Sequence, residues 1–141
     1  LMFEIGGSMG PLYGMFFEGM ADACKGIKEM DLNLFCDMIS KGLDGVLEIG
    51  EAKRGDKTLL DALIPAKESL ENSIESNIPF KQALINFKKA SQEGKESTKD
   101  MIARVGRASR LGERSRGSLD AGATSCNLIL NSMADSILNL I

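Results

Sequence analysis

A chain of 141 residues and 15.2 kDa has room for one domain with a real core, and 43% apolar with 26% charged residues is the balance of an ordinary globular fold. A net charge of -3 excludes the broad basic face that a nucleic-acid backbone requires, and the lack of histidine excludes Ser-His-Asp and Cys-His catalysis and His-ligated zinc within these residues. The longest uncharged runs, residues 5–17 and 121–134, fall short of the ~18 residues of a membrane span, and no segment reads as a signal peptide, so a cytoplasmic protein is expected.

Taken in order, Gly6-Gly7-Ser8-Met9-Gly10-Pro11 is a glycine break followed by a helix start, with Pro11 in the first turn, where its missing N–H is not needed. Leu12, Phe16, Met20, Ala23 and Ile27 keep helical spacing to about Lys28, and Gly14 and Gly19 predict close approach to another helix. A helix opening on such a turn offers free N–H groups to an anion. The second helix starts from Asp31 as N-cap, buries Leu34, Phe35, Met38, Ile39, Val46 and Ile49, and ends at Gly50.

Gly50-Glu51-Ala52-Lys53-Arg54-Gly55-Asp56-Lys57-Thr58 comes within one residue of a phosphate-binding P-loop. It is not read as one, because it follows a helix rather than a strand and Asp56 would put a negative charge among the phosphates. Thr58 and Asp61 have capping-box spacing and open a third helix through Leu59, Leu63, Leu70 and Ile74, with a kink expected at Pro65. After Asn77-Ile78-Pro79 a fourth helix carries Phe80, Leu84, Phe87, Met101 and Ile102, its polar stretch at residues 91–99 reading as a solvated face.

Residues 106–125 then hold four of the six arginines (Arg107, Arg110, Arg114, Arg116) among four glycines. This is too glycine-rich for a stable helix and reads as a long loop. Loops of this length inside small domains are usually functional or disordered. Glycines that let backbone approach a ligand, beside guanidinium groups that bond phosphate in a forked manner, favour a small phosphorylated ligand. A last helix from about Gly122 carries Cys126, Ile129, Leu130, Met133, Ile137 and Leu140. Cys24, Cys36 and Cys126 are odd in number, widely spaced and placed in apolar helical patterns, so reduced core thiols are expected.

No segment alternates with period two, so the fold class is all-α. Three helices of about 17–25 residues, roughly 25–37 Å long, suit an antiparallel up-and-down bundle or barrel. The turn at 6–10, the turn at 50–58 and the loop at 106–122 would then share one end. The chain opens on Leu1 in the middle of an apolar pattern, which reads as a single domain over 1–141 that is N-terminally incomplete. Residues such as Phe3, Phe16 and Met20 would then form an exposed apolar patch.

Three blocks, Gly6-Gly7-Ser8-Met9-Gly10-Pro11-Leu12-Tyr13-Gly14, Gly55-Asp56-Lys57-Thr58 and Gly106-Arg107-Ala108-Ser109 with Leu111-Gly112-Glu113-Arg114-Ser115 and Asp120-Ala121-Gly122-Ala123-Thr124-Ser125, occur in the order and spacing of one family. Across essentially the whole chain the sequence resembles the nucleotide-binding L subunit of dihydroxyacetone kinase. The resemblance implies a closed barrel of eight antiparallel helices with ADP or ATP at one end. It implies nucleotide contacts from Ser8, Met9, Gly50, Leu59, Arg107, Asp120, Ala121 and Gly122. Leu59 would wall the adenine, Arg107 would neutralise phosphate, and the turn at Ser8 and Met9 would offer a helix N-terminus. Lys57 and Arg114 lie in matching motifs without an assigned contact.

The same resemblance implies phosphoryl transfer to dihydroxyacetone held on a partner subunit, with bound ADP rephosphorylated by a phosphohistidine subunit of the phosphotransferase system. Two Mg2+ ions would be held by an aspartate cluster upstream of Leu1, so the segment alone is expected to be inactive, with no catalytic residue and no metal ligand of its own. Neither nucleic acid nor membrane is implied as a partner. Alternatives are an ATP-dependent dihydroxyacetone or fatty-acid kinase, or a non-catalytic helical module. The departures from the family pattern are Met9 in place of a usual serine, Arg110 where a tyrosine is common, and Ser118 and Ala121 in place of a histidine and a proline.

Overall fold

Pro11 stands in the first turn of α1 (Met9–Cys24), where a missing N–H leaves no bond unmade. The computed structural model describes residues 9–105 and 107–141, the side chains of Arg107 and Ala108 excepted. The expected turn at Gly6-Gly7, Ser8 and the apolar Phe3 thus lie outside the described residues. Gly26, with φ at 77°, takes the left-handed backbone that ends α1 sooner than the apolar spacing predicts. Ile27 is consequently exposed rather than buried, and Cys24 is only partly covered rather than a core thiol.

α2 (Leu32–Ile49) begins and ends where its local chemistry predicts. The Asp31 carboxylate accepts from Leu34 N at 2.8 Å, and Gly50 N donates to Val46 O at 2.9 Å. Its apolar stripe buries Leu34, Phe35, Met38, Ile39 and Val46, while Ile49, in the last turn, is exposed. Small residues set how α1 and α2 pack. A Cβ on Gly19 would lie 2.3 Å from Lys41 O, and one on Gly45 would lie 2.5 Å from Met15 O. These pairings run in opposite directions along the two helices, so α1 and α2 are antiparallel. Gly42 leaves room for the Phe16 ring, whose Cδ1 would be 2.6 Å from a Cβ there. Phe16 and Met20 are therefore buried, at 2% and 6% exposure, against the expectation of an open patch. Exposed apolar side chains on these two helices are instead Phe17, Leu47 and Ile49.

The chain divides into two compact units, Leu1–Glu51, which holds α1 and α2, and Ala52–Ile141. The second unit holds α3 (Leu60–Glu75), α4 (Phe80–Ser97) and α5 (Ala121–Leu140), with 3-10 turns at Thr98–Asp100 and Arg107–Ser115. α3 runs through Pro65 unbroken. α4 stops at Ser97, so Met101 and Ile102 fall beyond it in an extended stretch rather than on its apolar face.

The polar stretch at 91–99 has the expected solvated face in Gln92, Glu93, Glu96, Ser97 and Lys99, but its other side is buried. Ser91, Gly94 and Thr98 are buried because each meets a neighbouring helix or its cap. Ser91 Oγ donates to Asn127 Oδ1 at 2.9 Å, and a Cβ on Gly94 would lie 2.1 Å from Asp61 O. An ion pair joins Lys88 to Asp135. Residues rising along α4 thus meet residues falling along both α3 and α5, and the three helices pack antiparallel around Leu63, Leu70, Leu84, Phe87 and Leu130, all fully buried. Cys126 lies in this core, where burial pushes its thiol pKa up to about 12 and leaves it unreactive. Among the described residues there is no strand, and the fold is all-α.

Candidate functional site

The antiparallel register of the second unit brings the start of α3, the end of α4 and the start of α5 to one end, with the turn at 52–59 and the segment 98–120 gathered over it. Carboxylates that cap the backbone shape the turn. Asp61 Oδ1 accepts from Gly55 N at 2.7 Å and Oδ2 from Thr58 N at 2.9 Å, while Asp56 Oδ2 accepts from Lys53 N at 3.0 Å. The bond from Thr58 N is one half of the expected capping box, and Thr58 Oγ1 accepts from Leu60 N at 3.2 Å. A P-loop aims its N–H groups at phosphate. Here those of Lys53, Gly55 and Thr58 are spent on Asp56 and Asp61, a physical reason why the near-match is not a phosphate cradle.

Lys57 is buried at 4% exposure with φ at 63°. Its ammonium donates to Thr98 O at 2.8 Å, Ser115 O at 2.6 Å, Met101 O at 3.3 Å and Ser118 O. Arg104 N also donates to Asp56 O at 3.1 Å, and Gly117 N to Lys99 O at 2.7 Å. The turn and the glycine-arginine segment, two of the three blocks singled out in the sequence, are therefore bound together. The third, at 6–10, falls in the other unit and is described only from Met9.

The glycine-arginine segment is more ordered than its composition predicts. Residues Arg107–Ser115 form 3-10 turns broken at Gly112 (φ 54°, ψ -128°). Ser115 Oγ pins the break by donating to Gly112 O at 2.6 Å and accepting from Ala103 N at 2.9 Å. Arg110, Arg114 and Arg116 are exposed; Arg116 stands 3.6 Å from Glu113, and among the described residues neither Arg110 nor Arg114 has an ion pair.

α5 then begins at an N-cap. Asp120 Oδ2 accepts from Ala123 N at 2.8 Å, and Asp120 N donates to Thr98 Oγ1 at 2.9 Å. Burial raises the pKa of this carboxyl above its ordinary value, while the Ala123 and Gly122 N–H groups and the Lys57 charge oppose the rise. Ala121 is exposed and Gly122 partly so, so no bulky side chain covers the first turn of α5.

The residues named from the sequence are thus distributed as follows. Asp120, Ala121 and Gly122 form the cap and first turn of α5. Arg107 opens the 3-10 segment, its side chain outside the described residues. Leu59, just before α3, is packed in the core at 3% exposure. Gly50 and Met9 belong to the first unit, as the C-cap of α2 and the first residue of α1, and Ser8 lies outside the described residues.

Periodicity and composition did not reveal Asp61, Thr98 and Ser115 as the polar groups that shape this end. Only the Thr58–Asp61 spacing signalled one of them. A groove of about 430 Å3 between the far halves of α3 and α4, lined by Ser69, Asn72, Ser73, Ser76 and Asn86, has no cationic group and does not suit phosphate. Among the described residues no group of three or more His, Cys, Asp or Glu side chains is placed to hold a metal ion. No helix there is long and apolar enough to cross a membrane.

Comparison with known proteins agrees with the sequence blocks. The chain is 40% identical over 134 residues to the "PEP-dependent dihydroxyacetone kinase, ADP-binding subunit DhaL" of Escherichia coli (strain K12), covering 95% of this chain and 64% of that protein. It is 37% identical over 137 residues to the "PEP-dependent dihydroxyacetone kinase 2, ADP-binding subunit DhaL" of Listeria innocua, covering 97% of this chain and 63% of that protein. The "L-erythrulose kinase" of Pectobacterium atrosepticum is 30% identical over 136 residues, which cover 96% of this chain and 23% of that longer protein. The chain therefore spans just under two thirds of the length of the two dihydroxyacetone kinase subunits. With residues 1–135 matching the DAK2 domain, the chain belongs to the DAK2 domain family.

Proposed function

We propose that this chain is the nucleotide-holding part of a dihydroxyacetone kinase that draws its phosphoryl group from the phosphotransferase system. ADP, or ATP in the charged state, would sit over the loop end of the second unit. The observation that carries this is that the buried Lys57 ammonium ties the glycine-arginine segment, through Ser115 O and Ser118 O, to the stretch that leads into the Asp120-capped start of α5. An α5 N-terminus with only small residues over it suits a phosphate or ribose oxygen. Arg107, which opens the segment leading to that turn, would supply the charge for which a diphosphate would otherwise need water.

The relatives named as ADP-binding subunits support the ligand class. A partner subunit would hold the dihydroxyacetone, and a phosphohistidine protein would recharge the ADP. Magnesium would screen phosphate charge during transfer. The part proposed for the described residues of this chain is to bind and orient the nucleotide. The relative that acts on erythrulose makes another small ketose the second reading for the phosphoryl acceptor.

Hydrogen exchange of the intact protein with and without ADP tests the placement. Slower exchange is expected at the amides of 107–123, with no change along residues 66–75 of α3. Protection confined to α3, or none, would contradict it.

A further inference from the structure

The Lys57 ammonium is held entirely by backbone carbonyls, those of Thr98, Met101, Ser115 and Ser118, and among the described residues it makes no ion pair. An ammonium has three N–H donors, so four carbonyls cannot each receive a proton of their own. Such a shell coordinates a charge rather than pairing bonds one to one, as carbonyl rings do when they replace the hydration of a potassium ion. The residue also pays for its place in backbone conformation, since φ of 63° is unusual for a side chain other than glycine, asparagine or aspartate.

Every carbonyl of the shell belongs to a segment that leads toward α5. Thr98 contributes its carbonyl to the shell and its hydroxyl to Asp120 N. Ser115 contributes its carbonyl, while its hydroxyl fixes the break at Gly112 and the stretch at Ala103. Ser118 lies two residues before the Asp120 cap. Without a cation, four carbonyl dipoles would point at one another in a buried space, and the loop would open to hydrate them.

We propose that Lys57 is a positioning residue: a tethered monovalent cation around which residues 98–118 fold, so that the first turn of α5 is preformed for nucleotide. The inference rests on the nucleotide reading above for its second half only. Affinity falls in proportion to the fraction of molecules with a formed site, so loss of the cation weakens nucleotide binding without removing any nucleotide contact.

The test replaces the tether and offers a free ion. Lys57→Gly accepts the positive φ and empties the shell. Melting temperature and ADP affinity of the intact protein are measured in lithium, potassium and ammonium chloride at equal ionic strength. In lithium the variant is expected to melt lower and to bind ADP about tenfold more weakly or worse; potassium and ammonium should recover much of both, while the wild type responds alike to all three salts. Equal losses in every salt, or no loss, would overturn the proposal. If the variant does not fold in any salt, Thr98→Val decides: it keeps the shell carbonyl but removes the acceptor of Asp120 N, and severalfold weaker ADP binding is expected. Unchanged binding in that variant would overturn the positioning role. If the wild type binds no ADP, the nucleotide reading fails by itself, and the salt-specific recovery of melting temperature still decides whether Lys57 acts as a tethered cation.

Discussion

In the turn at residues 53–58 the N–H groups of Lys53, Gly55 and Thr58 end on the carboxylates of Asp56 and Asp61, and the Lys57 ammonium ends on carbonyls. At the start of α5 a single aspartate caps the helix, Ala121 is exposed, and the arginines Arg110 and Arg114 point no charge at a protein partner among the described residues. Both regions combine glycine, aspartate and basic residues, the composition associated with phosphate binding. The second differs in its exposed arginines, since its Ala123 and Gly122 N–H groups also serve a carboxylate, that of Asp120. A motif's resemblance to a phosphate loop is decided by where its donors go, and in the first region the N–H groups of Lys53, Gly55 and Thr58 go to carboxylates.

Three variants sharpen this contrast. Asp61→Ala strips two backbone donors of their acceptor inside a site where Asp61 is 2% exposed. A stranded buried group costs about 1–3 kcal/mol, and because Gly55 is exposed and Thr58 half-buried, a total loss of about 1–3 kcal/mol is expected in urea unfolding. A loss below about 1 kcal/mol would mean that water reaches these N–H groups and that the turn is less closed than described.

Asp120→Asn keeps a good N-cap and removes the charge. Burial raises the native carboxyl pKa, so the folded state binds the proton more readily than the unfolded chain. Stability contributed by Asp120 is then full below the unfolded pKa and is lost as pH rises through the raised native value. Wild type should therefore lose stability relative to Asp120→Asn across that acid window and differ from it by a constant amount above it. An opposite slope in paired denaturation curves would show that the cap favours the ionised form.

Arg54→Ala should do least. Arg54 makes two bonds to Glu68, at 2.7 and 3.1 Å, but both side chains are about half exposed. Such pairs contribute about 0–1 kcal/mol, and ADP affinity should not change, since this arginine is committed to Glu68.

How far the sequence could be read follows the range of the interactions involved. The caps of α2, Asp31 and Gly50, were legible because a cap satisfies groups within four residues of itself. The buried side of the stretch at 91–99 was not, because Ser91 meets Asn127 and Thr98 meets Asp120 across a helix interface that no local pattern encodes. The early stop of α1 followed from one glycine at positive φ, while the apolar spacing continued past it to Ile27. At the candidate site the motif containing Lys57 was legible but the direction of its ammonium was not. The carbonyls it gathers lie 41 to 61 residues further along the chain.

The central claim is that nucleotide phosphate is neutralised at one position of the arginine segment rather than by its general charge. Isothermal titration of ADP into the intact wild-type, Arg107→Ala and Arg110→Ala proteins, each shown folded by circular dichroism, tests it directly. Arg107→Ala is expected to weaken binding by roughly 1.5–3 kcal/mol, the worth of hydrogen bonds to a charged group, and Arg110→Ala by far less. Equal losses would mean a diffuse basic surface, and an unchanged affinity in Arg107→Ala would contradict the site.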